Sequence, residues 1–501
     1  AAEPRAGAGR RRRGRGERPG PQGPGTGRPL ARSARPFAAL PRAARLSKRG
    51  APMTAEISLP RASTAPRYRA LGLEEVLARP ELARIPPERR AEMRRVARVL
   101  PFRVSEHALE ALVDWERAPD DPLFRLLFPR RELLPPAEYQ ALEALERSGA
   151  DEQRLSAHVS ALRARLNPDP AAQLELNRPW IDGVAASGLQ HKYAETVLFF
   201  PAAGQTCHAY CAFCFRWPQF VGDQALKQAE PDAARLLRYL AEHPEVRDLL
   251  VTGGDPLVMA SERLEALLLP LLGEAFDHVA HLRIGTKALS FWPRRFLTDP
   301  DSERLLGLFS RLVAAGKHLS LMVHADHPRE LEHPLTQSAI ARLRATGAVL
   351  RLQSPLLAGV NDSAELLLEL WERATDLGLV PYYLFVARDT GAHAGFRLPL
   401  ARAFELYREA YARCSGLART VRGPVMSATP GKIEIVGIVG PPGEQRFLLR
   451  FLQARDPAWV LRPFEARFDA QATWFDQLEP AEGRWFFEAA MAERFARARG
   501  L

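Results

Sequence analysis

The arrangement of apolar and polar positions changes once along the chain, near residue 190. Between Tyr68 and Arg165 apolar residues recur at helical spacing, for example in Pro87–Val99 and His107–Trp115, and Pro-rich breaks separate the segments. Beyond residue 190, short apolar runs alternate with longer amphipathic stretches. The pattern therefore predicts a mainly helical region over residues 53–190, followed by a region of alternating strands and helices.

Six apolar runs in the second region have the length of strands, and amphipathic stretches separate them. The predicted strands are Thr196–Pro201, Asp248–Thr252, His281–Gly285, Leu319–His324, Val349–Ser354 and Pro381–Val386. The predicted helices are Asp232–Glu242, Ser261–Leu272, Ser302–Ala315, Leu335–Thr346 and Ala364–Leu377. Such alternation favours a parallel sheet with helices outside. We therefore predict an α/β fold, a partial (β/α)6 barrel over residues 191–415, with its chemistry at the C-terminal strand ends.

Residues 416–501 form a C-terminal extension that is rich in aromatic side chains. These are Trp459, Phe464, Phe468, Trp474, Phe475, Trp485, Phe486 and Phe487. Such a set is typical either of a helix packed on its own core or of an interface between subunits. Both interpretations stay open, and we expect a homo-oligomer.

The net charge of +11 comes from the N-terminal segment alone. Residues 1–50 hold 14 Lys and Arg against 2 Asp and Glu, so the rest of the chain is close to neutral. The core therefore gives no indication of nucleic-acid binding. The basic segment, residues 1–52, is predicted to be disordered. It is an RNA-binding arm, a transit peptide, or, as we favour, sequence upstream of a true start at Met53.

Cysteine use and hydropathy indicate where the protein works. Four cysteines in 501 residues are too few for a disulfide scaffold. The chain has neither an apolar run of about 20 residues, which a membrane span needs, nor the apolar core of a signal peptide. We therefore expect a cytoplasmic protein that has no contact with membranes.

Three of the four cysteines form the segment Cys207-His-Ala-Tyr-Cys211-Ala-Phe-Cys214. Three close thiolates can bind three irons of a [4Fe–4S] cluster and leave the fourth iron open to a small molecule. A zinc site is an alternative, but it would need His208 or Cys414 as its fourth ligand. Three buried free cysteines are the other alternative. The spacing favours the cluster over both.

Two glycines and an aspartate, Gly253, Gly254 and Asp255, follow the second predicted strand, 39 residues after Cys214. Glycines permit close backbone approach, and a carboxylate suits an ammonium group. Together with the CxxxCxxC segment after the first strand, this resembles the radical S-adenosylmethionine (SAM) superfamily. The resemblance implies that the cysteines hold a [4Fe–4S] cluster and that the glycine segment binds the amino group of SAM at the open iron.

Further motifs resemble the lysine 2,3-aminomutase family over about half the chain. In order they are His191-Lys-Tyr-Ala-Glu-Thr-Val-Leu198, Arg283-Ile-Gly285, His324-Ala-Asp-His-Pro328, Gln353-Ser-Pro-Leu-Leu-Ala-Gly-Val-Asn-Asp362, Pro381-Tyr-Tyr383 and Pro430-Gly-Lys432. The resemblance implies an isomerase that uses pyridoxal 5′-phosphate (PLP). A 5′-deoxyadenosyl radical takes the β-hydrogen of a PLP-bound α-amino acid, and the amino group moves from C2 to C3.

The resemblance also implies roles for individual residues. Lys432, in a loop, would bind PLP, and Arg216 would bind the substrate α-carboxylate. The remaining cofactor-binding positions are Lys192 and Tyr193, near the PLP phosphate, Arg283 of the third-strand motif, and His324 and Gln353, which face SAM. We expect an amino acid substrate and an electron donor such as flavodoxin or ferredoxin.

The side-chain end of the substrate site departs from the lysine-specific members, which place two aspartates there. Arg388 occupies the first aspartate position, with Asp389 adjacent, and Ser427 occupies the second. Asp389 is the candidate partner for a lysine ammonium, whereas an Arg388 that faces the cavity would favour an acidic substrate. Glutamate or another amino acid, a β-lysylation enzyme of the elongation factor P type, and a cluster protein without PLP chemistry are the alternatives.

Overall fold

The computed structural model describes residues 67–167, 172–222 and 227–499. The basic segment predicted for residues 1–52 lies outside these ranges. The described residues contain no helix that is both long and apolar enough to span a bilayer.

The N-terminal part is mainly helical, as its sequence pattern predicts. It contains β1 (Ala70–Leu71), α1 (Leu73–Leu77), α2 (Pro87–Val99), β2 (Val104–Ser105), α3 (Pro122–Leu127), α4 (Pro136–Arg147) and α5 (Glu152–Leu166), with one π-helical turn at Ala108–Leu112. Prolines open α2, α3 and α4, where the missing N–H costs nothing. Asp121 caps α3 by accepting hydrogen bonds from two backbone N–H groups.

All six predicted strands are present and run parallel to one another. They are β6 (Thr196–Phe199), β7 (Asp248–Val251), β8 (His281–Thr286), β9 (His318–His324), β10 (Val349–Leu356) and β11 (Val380–Val386). The hairpin β3 (Trp180–Ile181) and β4 (Val184–Ala185) precedes them. One further strand, β5 (Leu189–Tyr193), pairs antiparallel with β6. Because the residues at its centre are polar, the pattern of apolar runs does not predict this strand.

The helices that connect the strands match the predicted segments within two residues at their starts and four at their ends. They are α6 (Ala233–Glu242), α7 (Ser261–Leu268), α9 (Ser302–Ala314), α10 (Pro334–Ala345) and α11 (Ala364–Asp376). The short α8 (Ala288–Phe291) and the longer α12 (Leu400–Arg413) are additional. Apolar residues of the helices and one face of the strands form a single buried cluster. That face of the sheet is therefore closed by helices.

The C-terminal extension continues the same sheet instead of forming a separate helical layer. Strand β12 (Arg422–Ser427) pairs parallel with β11, and β13 (Gly431–Val439), β14 (Arg446–Ala454) and β15 (Pro463–Arg467) follow antiparallel, before α13 (Glu488–Ala498). The result is an α/β fold with a mixed sheet of eleven strands, in the order β15 to β5. The expected loop for Lys432 is wrong, because Lys432 pairs with Ser427 and Gln453 within the sheet.

The aromatic residues of the extension pack mainly on one another. Phe451 and Phe464 stack at 5.2 Å, and Trp485 stacks on Phe487 at 5.9 Å. They belong to a third buried cluster, which β13, β14 and α13 share. Packing on their own core therefore accounts for the aromatic content of this region.

Candidate active site

A cavity of about 340 Å³ opens on the face of the sheet opposite the helices. Every one of the six parallel strands contributes to its wall, because side chains alternate between the two faces of a strand. The wall residues on these strands include Leu198, Leu250, Gly285, Met322, Gln353 and Phe385. The alternate residues, such as Val197 and Leu249, lie in the helix-covered core. The sheet therefore aims one set of side chains from all six strands at one space.

The cysteine segment follows β6 and forms one wall of this cavity. Cys207, Cys211 and Cys214 all line it and are half-buried. The N-terminal region holds the segment through its backbone. Tyr210 N–H donates to the carbonyl of Arg103 at 2.8 Å, and Ala212 N–H donates to that of Leu126 at 2.7 Å. The thiols are therefore fixed between the sheet and the N-terminal helices.

Burial controls the ionisation of these thiols. It raises the pKa of Cys207 and Cys211 well above the ordinary thiol value. It raises the pKa of Cys214 to about 11, although the nearby Arg216 offsets part of the effect. Neutral thiols bind iron only after they lose their protons, so loading of a cluster would release protons here.

The donor set suits a cluster better than a single ion. Among the described residues, no three His, Cys, Asp or Glu side chains form a group that could hold one metal ion. In a [4Fe–4S] cluster each thiolate binds its own iron, so the three sulfurs need not converge on one point. The zinc alternative also lacks its proposed fourth ligand, since neither His208 nor Cys414 lines the cavity.

The glycine segment lies directly against the cysteine segment. A Cβ on Gly253 would come within 2.1 Å of the Gln205 side chain, and one on Gly254 within 2.2 Å of the Thr206 carbonyl oxygen. Asp255 lines the cavity, but Leu257 N–H, Thr286 Oγ1 and Lys287 N–H all donate to its carboxylate. The glycines thus permit close contact between two loops, and the aspartate holds the ends of two strands together.

A buried cation that the motifs do not mark lies beside Cys211. Lys287 Nζ forms ion pairs with Asp326, at 2.9 Å, and with Glu330, and all three side chains are buried. His324, which faces the cavity as expected, has its Nε2 3.1 Å from the other oxygen of Asp326. The sequence signals for this group are a lysine after a strand end and Asp326 within the motif His324–Pro328. Its two carboxylates lie about 40 residues further along the chain.

Lys432 extends from the start of β13 into the cavity and is half-buried. Its Nζ lies 4.8 Å from the ring centre of Tyr383 and 5.7 Å from that of Tyr193. Burial, followed by the charge of Arg283, lowers the pKa of Lys432 to about 7. A large fraction of this amine is therefore uncharged near neutral pH, which is the form that attacks a carbonyl carbon.

Two linked hydrogen bonds, from Lys432 to Gln453 and from Gln453 to Glu195, hold the Lys432 amine in position. Its Nζ donates to Gln453 Oε1 at 2.6 Å, and Gln453 Nε2 donates to Glu195 at 2.8 Å. Arg283 lies nearby but is neutralised by Asp248, with N–O distances of 2.7 and 2.6 Å. Gln453 and Asp248 are functional candidates that no sequence motif indicates.

Lys192 and Tyr193 also line the cavity. Lys192 Nζ donates to the carbonyl of Ala428, and burial lowers the pKa of Lys192 well below its usual range, as do the charges of Arg455 and Arg388. Burial raises the pKa of the Tyr193 hydroxyl. The structure therefore brings Lys192 and Tyr193 together with Lys432.

Two arginines approach the Phe215 ring. The guanidinium carbon of Arg388 lies 4.7 Å from its centre and that of Arg216 lies 5.1 Å from it. Both arginines line the cavity, whereas Asp389 does not. Burial raises the pKa of Asp389, and its charge in turn contributes to the raised pKa of Asp476. Of the expected site residues, Asp389 alone is not brought to the cavity wall, because its neighbour Arg388 takes that place.

Comparison with known proteins identifies relatives along most of the chain. A protein of Aquifex aeolicus, provisionally named as an L-lysine 2,3-aminomutase, is 32% identical over 392 residues, which are 78% of this chain and 91% of the relative. The L-lysine 2,3-aminomutase of Escherichia coli is 33% identical over 255 residues, which are 50% of this chain and 69% of the relative. No family model matches the chain.

Solved structures of low similarity were also found. A radical SAM methyltransferase from Sphaerobacter thermophilus has 15% identity and a TM-score of 0.32, over 57% of this chain and 93% of that one. A TM-score at this level supports no argument. The family assignment therefore rests on the sequence relatives.

An α/β sheet with three cysteines after its first parallel strand, and a glycine pair after its second, defines the radical SAM class of enzyme. Within that class, the chain belongs to the lysine 2,3-aminomutase family. It is thus a radical SAM isomerase of the aminomutase type, and its class implies a [4Fe–4S] cluster and SAM.

Proposed function

We propose that the protein is a PLP-dependent amino acid 2,3-aminomutase, with Lys432 as the amine that binds PLP covalently. One observation carries the proposal. A lysine whose pKa is lowered to about 7 shares a single cavity with Cys207, Cys211 and Cys214. A radical enzyme without PLP chemistry has no need for an uncharged lysine at this place, whereas covalent capture of an aldehyde requires one.

The residues at the cavity suit the groups that the reaction needs. When bound, the cluster and SAM supply a hydrogen-abstracting radical, and PLP supplies the π system through which nitrogen moves from C2 to C3. Cys207, Cys211 and Cys214 would hold the cluster at one wall, and Gly253 and Gly254 keep their loop close to the cysteine segment.

The other residues of the cavity wall would bind and orient the cofactors and the substrate. Lys192 offers an amine as hydrogen-bond donor for a phosphate, Tyr193 packs beside Lys432, and Arg216 offers a planar fork for an α-carboxylate. Gln353 and His324 line the same cavity and would contact SAM, and Arg283 lowers the pKa of Lys432. Asp255 acts here as a strand-end contact, so the SAM amino group would be left to backbone carbonyls of the glycine segment.

The proposal extends to the architecture and the partners. Alternate residues of all six parallel strands line one cavity, which supports a partial (β/α)6 barrel over residues 191–415. Along the sequence, residues 53–190 precede it as the N-terminal region and residues 416–501 follow it as the C-terminal extension. A one-electron donor such as flavodoxin or ferredoxin would reduce the cluster. We also propose that the protein forms a homo-oligomer and works in the cytoplasm.

Reductive trapping tests the central claim. Protein incubated with PLP and borohydride is digested, and the modified peptide is identified by mass spectrometry. We expect the label on Lys432, and its loss in Lys432→Ala together with the visible PLP absorbance. Lys227→Ala, which removes a lysine that is not on the cavity wall, is the matched control. Label on another lysine, or none, would leave a radical SAM enzyme without this PLP chemistry.

A further inference from the structure

The charged side chains that line the cavity are strongly unbalanced in sign. Six described residues of the wall have basic side chains, namely Lys192, Arg216, Arg283, Lys287, Arg388 and Lys432, and one has a carboxylate, Asp255. Three donors already occupy the carboxylate of Asp255. The described wall therefore offers no free carboxylate to a cationic ligand.

Two of the six basic side chains form ion pairs with carboxylates that do not themselves line the cavity. Arg283 pairs with Asp248, and Lys287 pairs with Asp326 and Glu330. The other four, Lys192, Arg216, Arg388 and Lys432, have no carboxylate within 4.0 Å in the described part of the chain. The two arginines of this set are buried charges without partners, which are costly unless a ligand of opposite sign compensates them.

The proposed function assigns a role to three of these four basic side chains. Lys432 is the amine for PLP, Lys192 lies beside it for the phosphate, and Arg216 serves the substrate α-carboxylate. Arg388 is left over. Its guanidinium is oriented by a 2.9 Å hydrogen bond to the carbonyl of Ser427, and Phe215 packs beside it. A fork held in this way presents its remaining N–H groups for bidentate binding of a planar anion.

We propose that the substrate is an amino acid with a carboxylate on its side chain, which Arg388 binds while Arg216 binds the α-carboxylate. The inference rests on the proposed function, since it assigns the side-chain end of the same site. Both guanidinium groups approach Phe215, at 4.7 and 5.1 Å from its ring centre, so one small dicarboxylate can reach both. A lysine side chain would instead bring an ammonium next to Arg388.

The adjacent carboxylate does not alter this conclusion. Asp389 is absent from the cavity wall, and its Oδ1 is buried with no hydrogen-bond partner among the described residues. Burial raises the pKa of Asp389, and burial together with the charge of Asp389 raises the pKa of Asp476. To meet a substrate ammonium, Asp389 would have to exchange places with Arg388 at the end of β11.

Binding to the PLP-loaded protein tests the substrate class without turnover. The change in visible absorbance is titrated with glutamate, aspartate, glutamine and lysine, in wild type, Arg388→Gln, Arg388→Lys and Lys192→Gln. We expect an acidic amino acid to bind at least about 100-fold more tightly than lysine, as one buried charge pair provides. Arg388→Gln should remove most of the preference for glutamate over glutamine, and Arg388→Lys should restore part of it.

The controls separate Arg388 from the PLP phosphate. Arg388→Gln should keep PLP absorbance and the thermal unfolding midpoint, whereas Lys192→Gln should weaken PLP binding and leave the glutamate-to-glutamine ratio unchanged. Tighter binding of lysine than of either acidic amino acid would overturn the inference. So would loss of PLP from Arg388→Gln with an unchanged ratio, because Arg388 would then serve the phosphate.

Turnover distinguishes the two levels of the proposal. With SAM, PLP and reductant, conversion of lysine but not of glutamate or aspartate to a β-isomer would leave the proposed function standing and remove the acidic substrate. If no amino acid were converted and none bound to the PLP-loaded protein, while SAM was still cleaved, the proposed function itself would fail.

Discussion

Lys432 Nζ and Gln453 Oε1 are joined by a 2.6 Å hydrogen bond across neighbouring strands β13 and β14. The acceptor is an amide, which carries no charge, and its Nε2 donates in turn to the Glu195 carboxylate. Gln453 thus fixes the direction of the amine without raising its pKa as a carboxylate would. We regard Gln453 as a positioning residue for Lys432.

A carboxylate in place of this amide should move the pH dependence of PLP capture. With the pKa of Lys432 at about 7, the uncharged fraction, and with it the capture rate, should rise through pH 7 and level off above it. Gln453→Glu stabilises the ammonium, raises that pKa and shifts the rise to higher pH. Stopped-flow absorbance from pH 6 to 10 measures it. The exposed Gln471→Glu is the control, and identical profiles for all three proteins would exclude the role of Gln453.

Removal of one cluster ligand should remove the whole cluster. Cys211→Ala leaves two thiolates, which cannot retain a [4Fe–4S] unit against loss to solvent. Iron, sulfide and the visible absorbance of anaerobically reconstituted protein should fall to background, and SAM cleavage with them. Cys414→Ala, a change in the buried helix-side core, should keep all of these. Full iron content in Cys211→Ala would contradict the assignment.

A methyl group on Gly254 should disrupt the contact between the glycine and cysteine segments. Its Cβ would lie 2.2 Å from a backbone oxygen, which cannot move without moving Cys207. We expect Gly254→Ala to lower the free energy of unfolding by about 1–3 kcal/mol, as overpacking does, and to lower cluster content. In Gly307→Ala, on α9, no described atom other than those of its chain neighbours and of the adjacent backbone of the helix lies within 4 Å of the new Cβ. That control should be neutral or slightly stabilising in urea titrations.

The buried ion pairs of Lys287 should matter more than surface pairs. Lys287→Met leaves Asp326 and Glu330 buried without their cation, which typically costs about 3–5 kcal/mol. Arg304→Met breaks exposed pairs with Glu262 and Glu265 and should cost less than about 1 kcal/mol. Chemical denaturation of both variants gives the comparison. Equal effects would mean that the Lys287 group is solvated.

The same group predicts a pH dependence of stability. His324 and Lys287 hold the pKa of Asp326 below its usual value, although burial opposes them. A lowered pKa adds stability above the unfolded-state value of about 3.9, and that stability is lost as the pH falls through the folded-state pKa. Wild type should therefore weaken steeply below pH 4. Asp326→Asn should show a shallower slope there in acid unfolding curves.

The repeating parts of this fold could be predicted from the sequence, because buried strands and amphipathic helices each leave a periodic pattern. The six parallel strands appear within two residues of their predicted starts and ends. Strand β5 could not be recognised in that way, since it carries Gln190, His191 and Lys192 at its centre. Helix α12 carries the same periodic pattern, with an apolar face that packs on the core.

The site residues also differ in whether a sequence pattern predicts them. Residues within short motifs, such as the three cysteines, reach the cavity as expected. Lys432 does so as well, although from a strand. Gln453 and Asp248 act through side chains that only the folded sheet brings to Lys432 and Arg283, so no spacing indicates them. Arg388 and Asp389 are neighbours at a strand end, and which of the two faces the cavity depends on the local backbone direction.

The hydrogen bonds from Tyr210 and Ala212 to Arg103 and Leu126 have a consequence for the iron-binding loop. The strands that carry the motifs do not by themselves hold the cysteine segment in shape. Replacement of the N-terminal third by an unrelated module would also remove these two hydrogen bonds, which hold the iron-binding loop. The helical region therefore contributes to the shape of the iron-binding loop as well as to its own packing.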